Sequence, residues 1–168
     1  MNRFMLLIVV IIAMTVPLIS QGTHALDNVV LPCDSGLILK IDYRGFGMIS
    51  TPEGERVYLQ VCQDGKLAYQ TARGRVRMGV LDASKMILLK AELQSPDLER
   101  VDAHYTAPRG IDASISLYLI IQRNLQAQFV KMDNVAIAWP PAPLDRLLTL
   151  VDTFREDAGF TIAGFRPQ

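Results

Sequence analysis

Apolar and polar residues alternate along four stretches in the first half of the chain. The four stretches are residues 37–44, 56–62, 66–71 and 75–80. A period of two is typical of a strand with one buried face. In the last stretch, the alternation predicts that Val76, Met78 and Val80 point inward. Asp64-Gly65 predicts a hairpin with a type I′ turn, whose two central residues both need a positive φ.

The pattern becomes helical after residue 81. Asp82 is a suitable N-cap because its carboxylate can accept a hydrogen bond from a free backbone N–H in the first turn. Leu81 and Met86 stand at the two positions of a hydrophobic staple. Ser95-Pro96 ends the helix, since the residue before a proline avoids the helical region. The predicted apolar face comprises Met86, Leu89 and Leu93.

In the second half, residues 115–121 and 126–132 are predicted strands, and residues 97–112 have no regular pattern. Residues 135–139 suit either a short strand or an extended loop. Pro143 stands at the predicted start of a last helix. Its apolar stripe is Leu144, Leu147, Leu148, Val151 and Phe154. Residues 155–168 form a weakly patterned tail.

The order of elements is therefore strands, helix, strands, helix. Short connections favour antiparallel pairing. We predict an α+β domain: a twisted antiparallel sheet of four to six strands with two helices packed on one face. No repeat or linker divides residues 26–168, so we expect one domain there.

Residues 1–25 have the features of a secretory signal peptide. Arg3 precedes an aliphatic run that Pro17 interrupts, and Thr23 and Ala25 stand where signal peptidase prefers small residues. We expect an exported protein, secreted or periplasmic. The alternative is a membrane anchor formed by an uncleaved segment, residues 4–19, although that run is short for a spanning helix.

Cys33 and Cys62 both follow the predicted signal. Two cysteines in an oxidising compartment usually pair, so we predict a disulfide bond between them. The alternative is a pair of buried free thiols.

The chain has 168 residues, with 17 basic and 17 acidic side chains. Zero net charge argues against a nucleic-acid partner. His104 is the only histidine after the predicted signal, and its surrounding sequence is that of a loop. The pairs Glu53/Glu55 and Asp97/Glu99 are interpreted as solvated charges, although sequence alone leaves a glycosidase-like pair open. We therefore expect no enzyme activity, no catalytic residues, no metal and no cofactor.

Two features are candidate binding surfaces. Arg73, Arg75 and Arg77 recur at period two and would share one face of a strand. There they form either a solvated face that discourages aggregation or a site for anionic groups. The second feature is the loop from Gly45 to Gly54, whose apolar residues either tuck under the sheet edge, the favoured interpretation, or face a partner. These apolar residues are Phe46, Met48 and Ile49.

Residues 37–154 resemble emfourin, a protein inhibitor of thermolysin-like metalloproteases, and its related domains. The resemblance rests on the segments Tyr43-Arg44-Gly45-Phe46-Gly47, Asp64-Gly65-Lys66-Leu67 and Gly79-Val80-Leu81-Asp82, the strand pair at 114–132 and the helix from Pro143 to Phe154. The cysteine pair and the long 95–112 segment depart from the pattern. The resemblance implies a protease-inhibiting loop, and no inhibitory residue is assigned by a motif.

We therefore expect an exported, non-enzymatic protein-binding domain whose partner is an extracellular protease. Two alternatives remain. One is an envelope-anchored interaction domain, which touches a membrane only if the N-terminal segment is uncleaved. The other is a binder of an anionic glycan or lipid headgroup through the three arginines.

Overall fold

The computed structural model describes residues 31–47, 54–106, 114–123, 125–135, 140–156 and 160–162. Within these ranges lie seven strands and three helices. In chain order they are β1 (Leu37–Phe46), β2 (Gly54–Cys62), β3 (Lys66–Gln70), β4 (Val76–Val80), α1 (Ala83–Leu93), α2 (Pro96–Glu99), β5 (His104–Thr106), β6 (Ser114–Arg123), β7 (Gln126–Asp133) and α3 (Ala142–Asp152).

The strands form one sheet in the order β4-β3-β2-β1-β6-β7-β5. Every neighbouring pair is antiparallel except β5 and β7, which are parallel. The α+β class is confirmed. The predicted four to six strands and purely antiparallel sheet are wrong, because β5 adds a seventh, parallel strand. With only three residues, β5 is too short for its alternation to be recognised in residues 97–112.

One sheet face and the helices enclose the main core. This face carries alternate residues of β1 and β6, which pair as Ile41 with Leu119 and Tyr43 with Leu117. Against them pack the buried residues of the helices, which are Leu89, Leu93, Leu98, Leu144, Leu147, Leu148 and Val151. The predicted apolar stripes of α1 and α3 therefore face the core, although Met86 is only partly buried and Phe154 lies just after the end of α3. α2 is a single turn that the sequence pattern does not predict.

Local signals behave as expected at the start of α1. The Asp82 carboxylate accepts a hydrogen bond from the Lys85 amide at 2.8 Å. The β2–β3 hairpin is confirmed, but its turn type differs. The loop has three residues, Gly65 has φ +85°, and its amide bonds to the Cys62 carbonyl at 3.0 Å. This is the type I turn with a left-handed glycine that three-residue hairpins prefer.

The predicted tail contributes to the core. Phe160 and Ile162 are buried, and Arg155 is 7% exposed. The Arg155 guanidinium lies 4.0 Å from the ring centre of Tyr58 and 4.7 Å from that of Tyr69. It also donates hydrogen bonds to the backbone carbonyls of Tyr58 and Gln70. A buried cation needs such partners, so Arg155 fastens the chain after α3 to β2 and β3.

The Cys33–Cys62 disulfide is present, with the two Cα atoms 5.3 Å apart. It packs with Leu31 and Ala68 in a small second core. Ala68 faces away from the helices, so this cluster covers part of the other sheet face. None of the helices in the described ranges is long and apolar enough to span a membrane. Residues 1–30 lie outside those ranges, and the signal peptide stays a prediction.

Candidate functional site

β4 is the outer strand at one edge of the sheet. Its inner side pairs with β3 in a register that places Met78 opposite Ala68 and Arg77 opposite Tyr69. Within the described ranges, no strand pairs with its outer side. A free strand edge presents unpaired backbone donors and acceptors that can accept another strand.

Both faces of β4 are exposed. Val76, Met78 and Val80 are 49%, 63% and 72% exposed, so the prediction that they point inward is wrong. They stand on the face that carries Ala68, away from α1 and α3. Hydrophobic alternation identified a strand here but could not tell which face the helices cover. The result is an apolar row along the outer strand, beside the disulfide cluster.

The arginines are placed differently from one another. Arg77 lies on β4, opposite Tyr69, and Arg75 immediately precedes the strand. Arg73 lies instead in the β3–β4 turn, where the Gly74 amide bonds to the Thr71 carbonyl at 2.8 Å. The predicted single-face row of three is therefore wrong for Arg73, because the chain turns at Gly74, between Arg73 and Arg75.

All three arginines are exposed, and no described carboxylate lies within 4.0 Å of them. A fourth arginine lies beside this turn, since a side chain at Gly74 would meet the Arg56 guanidinium at 3.1 Å. We call the strand β4 together with Arg73 and Arg75 the β4 edge. It combines unpaired backbone, an apolar row on one face and positive charge on the other.

The second predicted surface is only partly described. Phe46 ends β1 and is 72% exposed, so the expectation that it tucks under the sheet is wrong for this residue. Met48 and Ile49 lie outside the described ranges. β1 is three strands away from β4, which corresponds to about 14 Å at the usual strand spacing. Phe46 and the β4 edge are therefore separate surfaces.

A cluster of polar side chains around Asp133 connects β5, β6 and β7 at the other edge of the sheet. Asp133 accepts a hydrogen bond from the Ser116 hydroxyl at 2.8 Å, and the Lys131 ammonium lies 2.7 Å away. His104 Nε2 lies 3.0 Å from the same carboxylate and 3.1 Å from the Thr106 hydroxyl. In a hydrolase triad the histidine contacts the serine. Here the aspartate bridges them, an arrangement that positions β5 rather than activating Ser116.

The sheet face that points away from the helices carries two lysine–aspartate pairs, and the pKa values of their aspartates shift in opposite directions. Burial alone would raise the pKa of Asp133, but hydrogen bonds from Lys131, His104 and Ser116 outweigh it and lower that pKa. Hydrogen bonding to Asp133 in turn raises the pKa of Lys131. Asp42 lies in mid-sheet, 3.0 Å from the Lys40 ammonium, and burial raises its pKa despite that partner.

The Asp133 cluster was missed in the sequence. The available signal was the alternation of β6 and β7, which places Ser116, Lys131 and Asp133 on one face once the strands are paired. In the described ranges, no three histidine, cysteine or carboxylate side chains are grouped as a metal site would require. No protein-family model matches the chain, and no curated protein matches it either.

Proposed function

We propose that this protein is a non-catalytic protein-binding domain that takes up an extended segment of its partner at the β4 edge. The observation that carries the proposal is the exposure of all five residues of an unpaired outer strand, three of them large and apolar. Strand addition to a sheet edge derives affinity from backbone hydrogen bonds and specificity from alternate side chains.

The side chains of the edge define the partner segment. Residues facing Arg75 and Arg77 are acidic, because arginine forks bind carboxylates well. Residues on the opposite face of the added strand are apolar and cover Val76, Met78 and Val80. The partner is thus an acidic, amphipathic strand.

The same side chains argue against a second copy of this chain as the occupant. An antiparallel pair of β4 strands centred on Val76 or Arg77 would place arginines directly opposite each other. Like charges on directly opposed residues destabilise strand pairing. A different protein with carboxylates at these positions removes this repulsion.

The expected emfourin-like inhibition of a secreted metalloprotease is the specific form of this proposal. Exposure of Phe46 favours it, because a protease cleft can take a bulky apolar side chain from a neighbouring loop. Under this form Phe46 enters the cleft, while the β4 edge pairs with an extended segment of the protease. An anionic glycan or lipid headgroup matches the β4 edge less well than an acidic strand does. Arg73 does not share a strand face with Arg75 and Arg77, and such a ligand would leave the apolar face of β4 without a role.

The edge is tested with two short peptides, one alternating glutamate with valine and one alternating lysine with valine. We expect the glutamate peptide to shift the amide resonances of β4 and the lysine peptide to leave them unchanged. Met78→Lys should weaken binding at least tenfold, because a lysine on the apolar face blocks strand addition. Leu88→Lys, which replaces an exposed leucine of α1, is the matched control. Equal binding of both peptides would contradict the proposal.

Inhibition is tested by titrating the oxidised protein into a thermolysin-like protease. Stoichiometric loss of activity without cleavage of the protein supports inhibition, and Phe46→Ala should then reverse it. Full residual activity would exclude protease inhibition. Strand addition at the β4 edge would then be decided by the peptide experiment alone.

A further inference from the structure

Two adjoining clefts lie where the β6–β7 hairpin meets the end of α1. The larger, of about 540 Å³, is lined by Gln94, Glu99, Arg123 and Gln128, among others. The smaller, of about 320 Å³, also includes Gln94 and Arg123, together with Lys90. Arg123 therefore stands in the wall that the clefts share. The larger cleft lies beside β6 and β7, away from the β4 edge, and the smaller one also reaches Ile38 of β1 and Gln63 just after β2.

The Arg123 guanidinium has two unused donors. Its Nε and Nη2 atoms are buried and have no hydrogen-bond partner in the described structure. The Nε–H and the adjacent Nη2–H lie in the guanidinium plane and point outward along the same edge, so together they form the fork that holds two carboxylate oxygens. An unpartnered buried donor is unfavourable, and more so on a charged group.

A second unused group lies in the larger cleft. The Gln128 amide nitrogen donates to the Leu98 carbonyl at 3.2 Å, which fixes the side chain against α2. Its Oε1 atom is buried without a partner. A ligand hydroxyl would supply the missing donor. The cleft thus combines a fork for a carboxylate with an acceptor for a hydroxyl.

We propose that this cleft binds a small hydroxylated carboxylate, such as a uronic acid sugar. Arg123 binds the carboxylate and Gln128 accepts a hydrogen bond from a hydroxyl. The two Arg123 nitrogens are covered by protein in the present arrangement. Gln128 Oε1 is covered in the same way. Binding therefore requires the guanidinium to rotate toward the cleft and the Gln128 oxygen to become accessible, and the ligand then supplies the partners that these atoms lack.

The negative charge of Glu99 should weaken the binding of a carboxylate ligand in this cleft, and this effect can be measured. Glu99 lines the larger cleft and interacts electrostatically with Arg123, without forming an ion pair within 4.0 Å in the described residues. Its negative charge opposes an incoming carboxylate. Glu99→Gln should therefore tighten binding by about two- to threefold, in line with the weak coupling of exposed charges.

The test is a titration of the full chain with D-glucuronate, followed by the NMR signals of the Arg123 Nε–H and the Gln128 side-chain amide. We expect saturable shifts with glucuronate and none with D-glucose, which lacks the carboxylate. Inorganic phosphate should bind at least about tenfold more weakly, a difference of about 1.4 kcal/mol. Arg123→Gln should weaken glucuronate binding about tenfold or more, and Arg123→Lys should also weaken it because the fork is lost.

Lys85→Gln removes an exposed positive charge of α1 and is the matched control, with glucuronate affinity unchanged. The proposal is overturned if Arg123→Lys binds glucuronate as the wild type does. Glucose or phosphate binding as tightly as glucuronate would overturn the assigned ligand class. Absence of saturable shifts would overturn the site. The site does not depend on the proposed function, since Met78→Lys should leave glucuronate binding intact.

Discussion

The two edges of the sheet are built in opposite ways. β4 has five residues, all exposed, and no described strand lies beyond it. β5 has three residues and is joined to β7 by parallel pairing. The side chains of His104 and Thr106 connect to each other, and His104 also contacts Asp133. One edge presents apolar side chains, whereas the other presents a short polar network.

The difference indicates which edge is available for a partner. Short strands discourage further pairing at an edge, and β5 has only three residues. The arginines of the β4 edge discourage pairing with a second copy but favour an acidic strand. These differences are consistent with a closed β5 edge, which takes up no further strand, and a β4 edge that takes up an acidic strand.

The largest expected effect concerns the support beneath the β4 edge. Arg155→Met should lower the free energy of unfolding by about 3–5 kcal/mol, because each charge-assisted hydrogen bond contributes about 1.5–3 kcal/mol. Urea denaturation measures the loss, and hydrogen exchange should quicken in β3 and β4 before β5. Arg146→Met, which changes a half-exposed arginine of α3, is the control. Equal losses for both variants would contradict the anchoring role of Arg155.

The disulfide should contribute nearly as much. Its loop spans 29 residues, and replacing both Cys33 and Cys62 by alanine should lower the free energy of unfolding by about 3–4 kcal/mol. The reduced wild type should match the double variant in urea denaturation. A stable reduced protein would show that the small core around Ala68 holds without the covalent bond.

At the closed edge, Asp133→Asn should lower the free energy of unfolding by about 1–2 kcal/mol at pH 7, because charge-assisted hydrogen bonds are lost. The folded state lowers the pKa of Asp133, so it stabilises the protein above the unfolded pKa of about 3.9. That stabilisation is lost as the pH falls through the lowered pKa. The difference between wild type and variant should therefore vanish in acid. Asp102→Asn, which changes an exposed aspartate outside the cluster, is the control.

The smallest effect on stability is expected at the open edge. Val80→Lys should change the free energy of unfolding by no more than about 0.5 kcal/mol, because the side chain is exposed. The same variant should lose binding of the glutamate–valine peptide. A large loss of stability would mean that Val80 packs against the fold and that the edge is less open than its exposure indicates.

Sequence patterns predicted elements better than they predicted surfaces. The Asp82 cap, the Asp64-Gly65 hairpin and the α3 stripe depend on neighbours along the chain, and all three are present. The candidate site was predicted only in part. Arg75 and Arg77 lie on the proposed surface, but Val76, Met78 and Val80 were assigned to the core. Arg123 and Arg155 carried no signal, because the groups around each of them come from segments distant in the chain. The Asp133 cluster could be recognised only once β6 and β7 were paired.

By itself, the sequence determined the class of the fold, the positions of most strands and of the two long helices, and the pairing of Cys33 with Cys62. These follow from local periodicity, capping and the reactivity of two thiols. Only the tertiary structure decided which sheet face the helices cover and which strands form the edges. Alternation specifies which residues share a face, whereas the contacts that bury that face join residues far apart in the chain. The exposure of the β4 edge and the attachment of β5 are therefore properties of the assembled sheet.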